Sequence, residues 1–381
     1  LHPTYLVDRQ GVAQPYRQLK RQGPKFCFAE EDLYTMRLGS IESRDVEKVF
    51  FGDIDDRGRH AVEYFENFAH PSINGDAFED LLEYLTMQKL RTPKGFRWLL
   101  WQSPIHDRNL LLMGLQGLVR LYGAVWTECI WQIADASQSE TKFIVSDHPV
   151  TVYNRECVPG SAVCPYNSDP DIRLHGTHTI FPLSLEKVLI LTNLSWVRNP
   201  YQSPRATRPN PNLRRPSMFK FTTIQTLRHL NEQEVTEINL IIKRRAYRYI
   251  AAAREEWLYP ERSLPPQHWR QLGDGYLLMP DPRSVQFSGE IIIGHNDGTS
   301  SAIDEYGFLP GQRGFNDRER MDREWETFQL FKGDFAARFG PQRRGRSFEM
   351  VRLDPERDSD DMHQSHLRYA DEIRKSNAGP S

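Results

Sequence analysis

Phe143-Ile-Val-Ser-Asp-His-Pro-Val150, followed by Thr179-Ile-Phe-Pro-Leu-Ser184 and Lys187-Val-Leu-Ile-Leu-Thr192, is the stretch whose reading decides the fold. Each piece is a short apolar run bounded by turn-forming residues, which is the pattern of a buried strand. The first run ends in a polar corner. A loop carrying Cys157, Cys164, His175 and His178 separates it from the other two. Helical sequence flanks the block on both sides, so the block reads as the sheet on which the rest packs. The expected fold class is α+β: a mainly antiparallel sheet against a cluster of three to four helices.

Upstream, Thr4–Val7 and Lys25–Phe28 are candidate strands, separated by Gly23-Pro24. Leu1-His2-Pro3 lacks an initiator methionine, which suggests a start further upstream. Residues 41–69 have helical periodicity that Gly52 and Gly58 could split. A second helix is expected from Asp76, where Asp76-x-x-Glu79 fits a capping box, up to Thr92-Pro93. Pro93 can open a short helix reaching Trp101. Residues 107–136, apolar nearly all round, read as one long buried helix. Downstream, residues 232–256 read as a single helix with acidic residues at its start and Lys243, Arg244, Arg245 and Arg248 in its second half, which complements the helix dipole.

The expected organisation is a mixed α/β core over 1–256 and a β-hairpin extension over 257–315. An amphipathic helix over 316–340 and a disordered charged tail over 341–381 follow. The hairpin reading rests on Gly289-Glu-Ile-Ile-Ile-Gly-His295 and the turn Asn296-Asp-Gly298, the helix on Met321, Trp325, Phe328, Phe331 and Phe335.

Bulk properties narrow the class. The 381 residues carry a formal net charge of -2, which argues against wholesale affinity for nucleic acid or membrane while leaving room for a local basic patch. A hydrophobic fraction of 39% and a mean hydropathy of -0.63 suggest an ordinary core diluted by polar segments. Four cysteines are too few to staple such a chain, so a reducing cytoplasm is the expected compartment. No apolar run approaches the roughly 18 residues of a membrane helix.

Four groups could carry chemistry. At the corner Ser146-Asp147-His148-Pro149, a carboxylate and an imidazole end a strand that Pro149 stops. They are placed as a general base, metal ligands or substrate anchors would be, or Asp147 caps its own turn. In Gln88-Lys-Leu-Arg-Thr-Pro93, Arg91 offers a five-donor fork to a phosphate or carboxylate, or serves the helix end. An Arg91–Asp147 pair would unite the two. Cys157, Cys164, His175 and His178 are four zinc-type donors in one loop, although their spacing differs from the usual knuckle. Finally, Lys187 to Asn231 has no acidic residue and carries Arg198, Arg205, Arg208, Arg214, Arg215 and Arg228 among Trp196, Tyr201 and Phe219. Basic residues mixed with aromatics suit a phosphate backbone or a single strand.

Glu30-Glu-Asp-Leu-Tyr-Thr35, Gln88-x-x-Arg-Thr-Pro93, Phe143-Ile-Val-Ser-Asp-His-Pro-Val150, Ile180-Phe-Pro-Leu-Ser184 and the helix of Asn239 to Ala252 together resemble domain-of-unknown-function family 4238, over about residues 4–256. The family opens on a His-x-x-Pro segment, of which Leu1-His2-Pro3 would be a remnant. The resemblance brings no activity with it. It supports the domain boundary and singles out Asp147.

Two functions stay open on the sequence. One is a nucleic-acid-acting protein, a metal-dependent hydrolase or nuclease, with Asp147, His148 and Arg91 as its catalytic centre and Arg198, Arg205, Arg208, Arg214 and Arg215 gripping the backbone. The other is a non-enzymatic module that recruits a protein partner through its C-terminal region, or a structural zinc protein. The cofactor is left open: a divalent metal fits the first reading, and the spacing disfavours zinc. No membrane partner is expected.

Overall fold

Strand Lys187–Asn193 shows how the chain builds its core. Leu189 and Leu191 face one apolar cluster, and Val188 and Ile190 face another. A strand alternates its side chains between two faces, so both faces of this sheet are covered. In the computed structural model, the described residues are 4–8, 20–23, 28, 36–38, 41–43, 52–68, 74–102, 122–165, 168–207, 224–264, 269–285, 290–304, 308–347 and 355–378.

The strands are β1 (Thr4–Asp8), β2 (Lys20–Gln22), β3 (Met36–Leu38), β4 (Ile41–Ser43), β5 (Cys129–Asp135), β6 (Val145–Ser146), β7 (Thr151–Asn154), β8 (Thr177–Pro182), β9 (Lys187–Asn193), β10 (Gln225–His229), β11 (Tyr249–Ala252), β12 (Glu290–Gly294) and β13 (Ser300–Asp304). The helices are α1 (Gly52–Glu66), α2 (Gly75–Leu90), α3 (Pro93–Gln102), α4 (Leu194–Arg198), α5 (Glu232–Arg245), α6 (Arg318–Phe339) and α7 (Pro355–Asn377). The main sheet runs β10-β5-β9-β8-β7, antiparallel except where β10 lies parallel to β5. A smaller antiparallel sheet runs β2-β1-β11-β6. The architecture is α+β.

Helices α1, α2 and α3 cover one face of the main sheet. Phe65 of α1 meets Phe78 of α2 edge-on at 4.8 Å between ring centroids and lies 5.5 Å from Trp131 of β5. Gly58 permits this packing, since a Cβ there would fall 2.3 Å from the Tyr84 ring. Helix α5 covers the other face with Val235, Ile238, Ile241 and Ile242, joined by Trp257, Leu258, Tyr259 and Trp269. A third cluster seats Phe328, Phe331 and Phe335 of α6 on Val197 and Ile130. The apolar face of α6 is therefore spent inside the chain.

Several expectations need correction. Residues 107–136 are not one helix: 122–127 are helical, but Cys129–Asp135 is the central strand β5, and 103–121 lie outside the described residues. Burial on both faces makes a strand as uniformly apolar as a buried helix, so periodicity cannot separate them. The helix expected over 232–256 ends at Arg245, Ala246 turns extended (φ -52, ψ 149), and Tyr249–Ala252 becomes β11, paired with β1 and β6. Residues 41–43 are a strand, and the helix after them starts only at Gly52, where neither Gly52 nor Gly58 splits it. Asn74, not Asp76, caps α2 by accepting from the Ala77 N–H; the true capping box is Asn231 with Glu234, on α5. The charged tail is not all disordered. Residues 355–377 form α7, and Gly333 of α6 lets Ala370 approach closely. Residues 290–304 pair as a two-stranded hairpin, but the chain closes on helices rather than on that element. The strand expected at Lys25–Phe28 lies largely outside the described residues.

Phe65, fully buried, should be among the costliest side chains to truncate. Phe65→Ala is expected to cost about 3–5 kcal/mol by urea unfolding, with far-UV helicity retained in the native baseline. A loss under about 1 kcal/mol would mean that α1 does not pack as described.

Candidate functional site

The polar corner after β6 is built by its own hydroxyl. Ser146 Oγ donates to the His148 carbonyl at 2.9 Å and accepts the His148 N–H at 3.2 Å. That turn sends Asp147 and His148 in different directions. Asp147 faces the chain leaving α5. Its Oδ1 accepts the Tyr247 N–H at 2.9 Å, and its Oδ2 accepts those of Arg248 at 2.7 Å and Tyr249 at 2.8 Å. Burial pushes this carboxyl above the usual range, and the three amides partly offset the rise. Both oxygens are occupied by backbone, so Asp147 anchors the break between α5 and β11.

Arg91 does not join it. The guanidinium pairs with Asp55 of α1 at 2.6 Å. The two motifs do meet, through neighbouring residues: Thr92 Oγ1 and His148 Nδ1 lie 2.7 Å apart, both buried. His148 Nε2 reaches Asp169 Oδ2 at 2.6 Å. The same carboxylate takes Lys89 at 2.6 Å on Oδ2 and Lys94 on Oδ1. Burial alone would raise the Asp169 pKa, yet the two ammonium groups and the imidazole hold it well below the usual carboxylate range. Burial drives His148 down to about 4, with the lysines opposing its charge and Asp169 favouring it. The neutral ring then donates from Nε2–H to Asp169 and accepts the Thr92 hydroxyl at Nδ1. Burial also pushes Lys94 down to about 8. His148 is sealed at 1% exposure, so this cluster is a girder and not a reactive centre open to a substrate.

The cysteine loop is tied to that girder. Arg245 donates to the carbonyls of Ser168, at 3.0 Å, and of Cys157, and lies over the Trp269 ring at 5.0 Å. Cys157 and Cys164 come together as buried free thiols; the Cys157 S–H bonds Cys164 and, with Arg245, lowers the Cys164 pKa to about 6. The histidines do not complete a metal set with them. His178 Nδ1 lies 2.8 Å from Thr192 Oγ1 on β9. The backbone N–H of His175 donates to the Ala206 carbonyl at 2.8 Å, while its ring Nε2 is buried without a hydrogen-bond partner among the described residues. Among the described residues no three His, Cys, Asp or Glu side chains converge as a metal ion requires.

The acid-free stretch divides. Arg198 is 1% exposed and Arg228 likewise, so neither can meet a phosphate backbone. Arg228 spans Gln132, Glu234 and the carbonyl of Leu277 inside the core. Arg205 is exposed. Arg208, Arg214 and Arg215 lie outside the described residues.

The open space in this region is a cleft of about 330 Å³. Tyr153 and His178 form its floor on neighbouring strands β7 and β8. Trp196, Tyr201 and Pro204 form one wall; Leu272 and Gly275 form another. Arg155 stands at the rim, exposed and without an ion-pair partner among the described residues. Two glycines make the walls fit. A Cβ on Gly176 would meet Pro204 at 2.7 Å, and Gly275, at φ +84, brings its backbone against the Arg155 guanidinium. Sequence reading singled out His178, Trp196 and Tyr201 but not Arg155, Lys89, Lys94 or Asp169. The two lysines stand among Gln88, Arg91 and Thr92 at a helix–helix junction, where an exposed lysine is ordinary, so the sequence carried no signal of their burial.

Removing the shared carboxylate should unmask the cluster's role. Asp169→Asn leaves two buried ammonium groups without a counter-charge and is expected to cost roughly 3–5 kcal/mol in urea unfolding. The histidines add a pH dependence. A neutral buried His148, down near 4 from its ordinary 6.5, contributes stability that is complete above pH 6.5 and lost as pH falls toward 4. The urea midpoint should therefore drop across that window, and His148→Gln should flatten part of the drop; an unchanged slope would mean His148 is not held neutral.

No curated protein and no solved structure matches the chain. The resemblance read from the residues holds over a shorter span than 4–256, one that contains β5 to β11 and the Ser146–Val150 corner. Residues 120–256 match the family model described as Protein of unknown function (DUF4238).

Proposed function

We propose that the chain binds single-stranded nucleic acid, one base entering the cleft between β7, β8 and the segment 196–204. The observation that carries the reading is the cleft itself: aromatic side chains and a buried imidazole line it, together with the exposed Arg155 and the half-buried Glu156. Its volume of about 330 Å³ suits a base-sized ligand and lies at the low end of ligand pockets. Trp196 and Tyr201 offer ring faces, and base–aromatic stacking contributes about 1–3 kcal/mol per base without regard to sequence. Tyr201 is held by its hydroxyl to Asp334 of α6, at 2.5 Å, so the ring is pre-oriented. Arg155 lines the cleft and Arg205 follows its lining residue Pro204 in the chain; both are exposed, so phosphates of an entering strand would meet them in water. A duplex cannot present an unstacked base, so single strands are preferred.

The proposal stops at binding. The polar corner that suggested a hydrolase has its carboxylate filled by backbone amides and its histidine sealed.

Fluorescence polarisation with a labelled oligouridine and a duplex of equal length, over a salt series, tests the reading. Binding to the single strand should weaken steadily with salt. The double variant Arg155→Ala, Arg205→Ala should lower the magnitude of the log–log slope by about 1–2, and Trp196→Ala should weaken binding about tenfold or more. Equal affinity for duplex and single strand, or no binding at 20 mM salt, would remove the proposal.

A further inference from the structure

His178 is the least exposed of the polar side chains that line the cleft. It is 4% exposed, and its ring packs beside Tyr153 with centroids 6.1 Å apart. One ring nitrogen is committed: Nδ1 lies 2.8 Å from Thr192 Oγ1. Thr192 is fully buried, and its hydroxyl donates to the Leu278 carbonyl at 3.4 Å. A hydroxyl has one hydrogen; when that hydrogen serves Leu278, the oxygen accepts from the ring and Nδ1 carries the proton, and this is the tautomer on which the inference below rests. Nε2 has no partner among the described residues, yet it is not one of the buried polar atoms sealed away without one. It borders the cleft that His178 lines. The charge state agrees: burial, with Arg228 nearby, pushes the ring well below its ordinary pKa, to about 3, so Nε2 keeps its lone pair at neutral pH.

We infer that His178 Nε2 is a fixed hydrogen-bond acceptor that selects bases presenting an N–H to the floor of the cleft, as uracil and thymine do through their imino edge. The inference rests on the proposed reading of the cleft as a base site and deepens it. A lone pair repels a phosphate, so the anionic part of a nucleotide cannot go in first. Arg155, at the mouth, attracts it outward instead. The base enters edge-on with its phosphate at the rim, and the first group to meet the floor must donate. A buried acceptor left unsatisfied by a ligand that cannot donate is where such a site gains discrimination. Gly176 and Gly275 fix the walls that guide the approach.

Oligouridine is the natural probe, because uracil carries a single base N–H once attached to sugar. Polarisation titrations compare it with an oligomer of 3-methyluridine, in which that N–H is replaced. The wild-type chain should prefer oligouridine about tenfold or more. His178→Phe should abolish the preference, and His178→Gln, which keeps an amide oxygen as acceptor, should retain part of it. A preference that persists in His178→Phe is a steric effect of the methyl group and overturns the inference. Equal binding of both oligomers by the wild type overturns it too, while leaving the nucleic-acid reading standing. Failure to bind either oligomer removes both. Nitrogen-15 NMR of the histidine rings gives a check that needs no variant: His178 should show a protonated Nδ1 and a bare Nε2 at pH 7, and the opposite tautomer overturns the assignment.

Discussion

A largely buried carboxylate shared by two lysines and a histidine is the constraint on which the rest of this molecule depends. Asp169 sits in a loop that has little regular structure of its own, yet it meets Lys89 at the end of α2, Lys94 at the start of α3 and His148 after β6. Each of these charges would be costly to bury alone. Together they fix the angle between two helices and the position of the loop 155–176 against them. The loop in turn leads into the edge of the main sheet where β7 and β8 bring Arg155, Gly176 and His178 to the cleft. Apolar side chains in place of such an arrangement can match its stability but carry no charge pairing that specifies this one geometry.

The sequence was informative where pattern and burial agree. The apolar runs 179–184 and 187–192 are neighbouring strands, and the stripe of Phe328, Phe331 and Phe335 is the buried face of α6. It misled where burial is two-sided. Cys129-Ile-Trp-Gln-Ile-Ala-Asp135 carries no alternation because helices cover both faces of its sheet, so nothing local distinguishes it from the helical turn before it. The α5–β11 boundary was hidden for another reason. No proline or glycine marks the break at Ala246; a carboxylate a hundred residues earlier in the chain holds it open by accepting three consecutive amides.

The site shows the same division. Both polar motifs of the sequence, Gln88–Pro93 and Ser146–Val150, converge in space, so the residues were well chosen. Their roles could not be assigned, because the side chain that joins them is Asp169, and it comes from a loop with no pattern. The four soft donors of residues 157–178 fall to two different places, since β8 carries His178 into the main sheet while the cysteines fold back toward Arg245. Sequence proximity within a loop says little about convergence once one member enters a strand.

The walls of the cleft come from stretches far apart in the chain: 153–156, 176–178, 196–204 and 272–278. While the chain is being synthesised, the floor can form long before its last wall exists. Occupancy is therefore a property of the finished molecule, and a ligand there clasps together segments that otherwise meet only through packing. Such a ligand acts as a non-covalent tie between distant parts of the polypeptide, favouring the closed chain over any partly opened form in proportion to how far its concentration exceeds its dissociation constant.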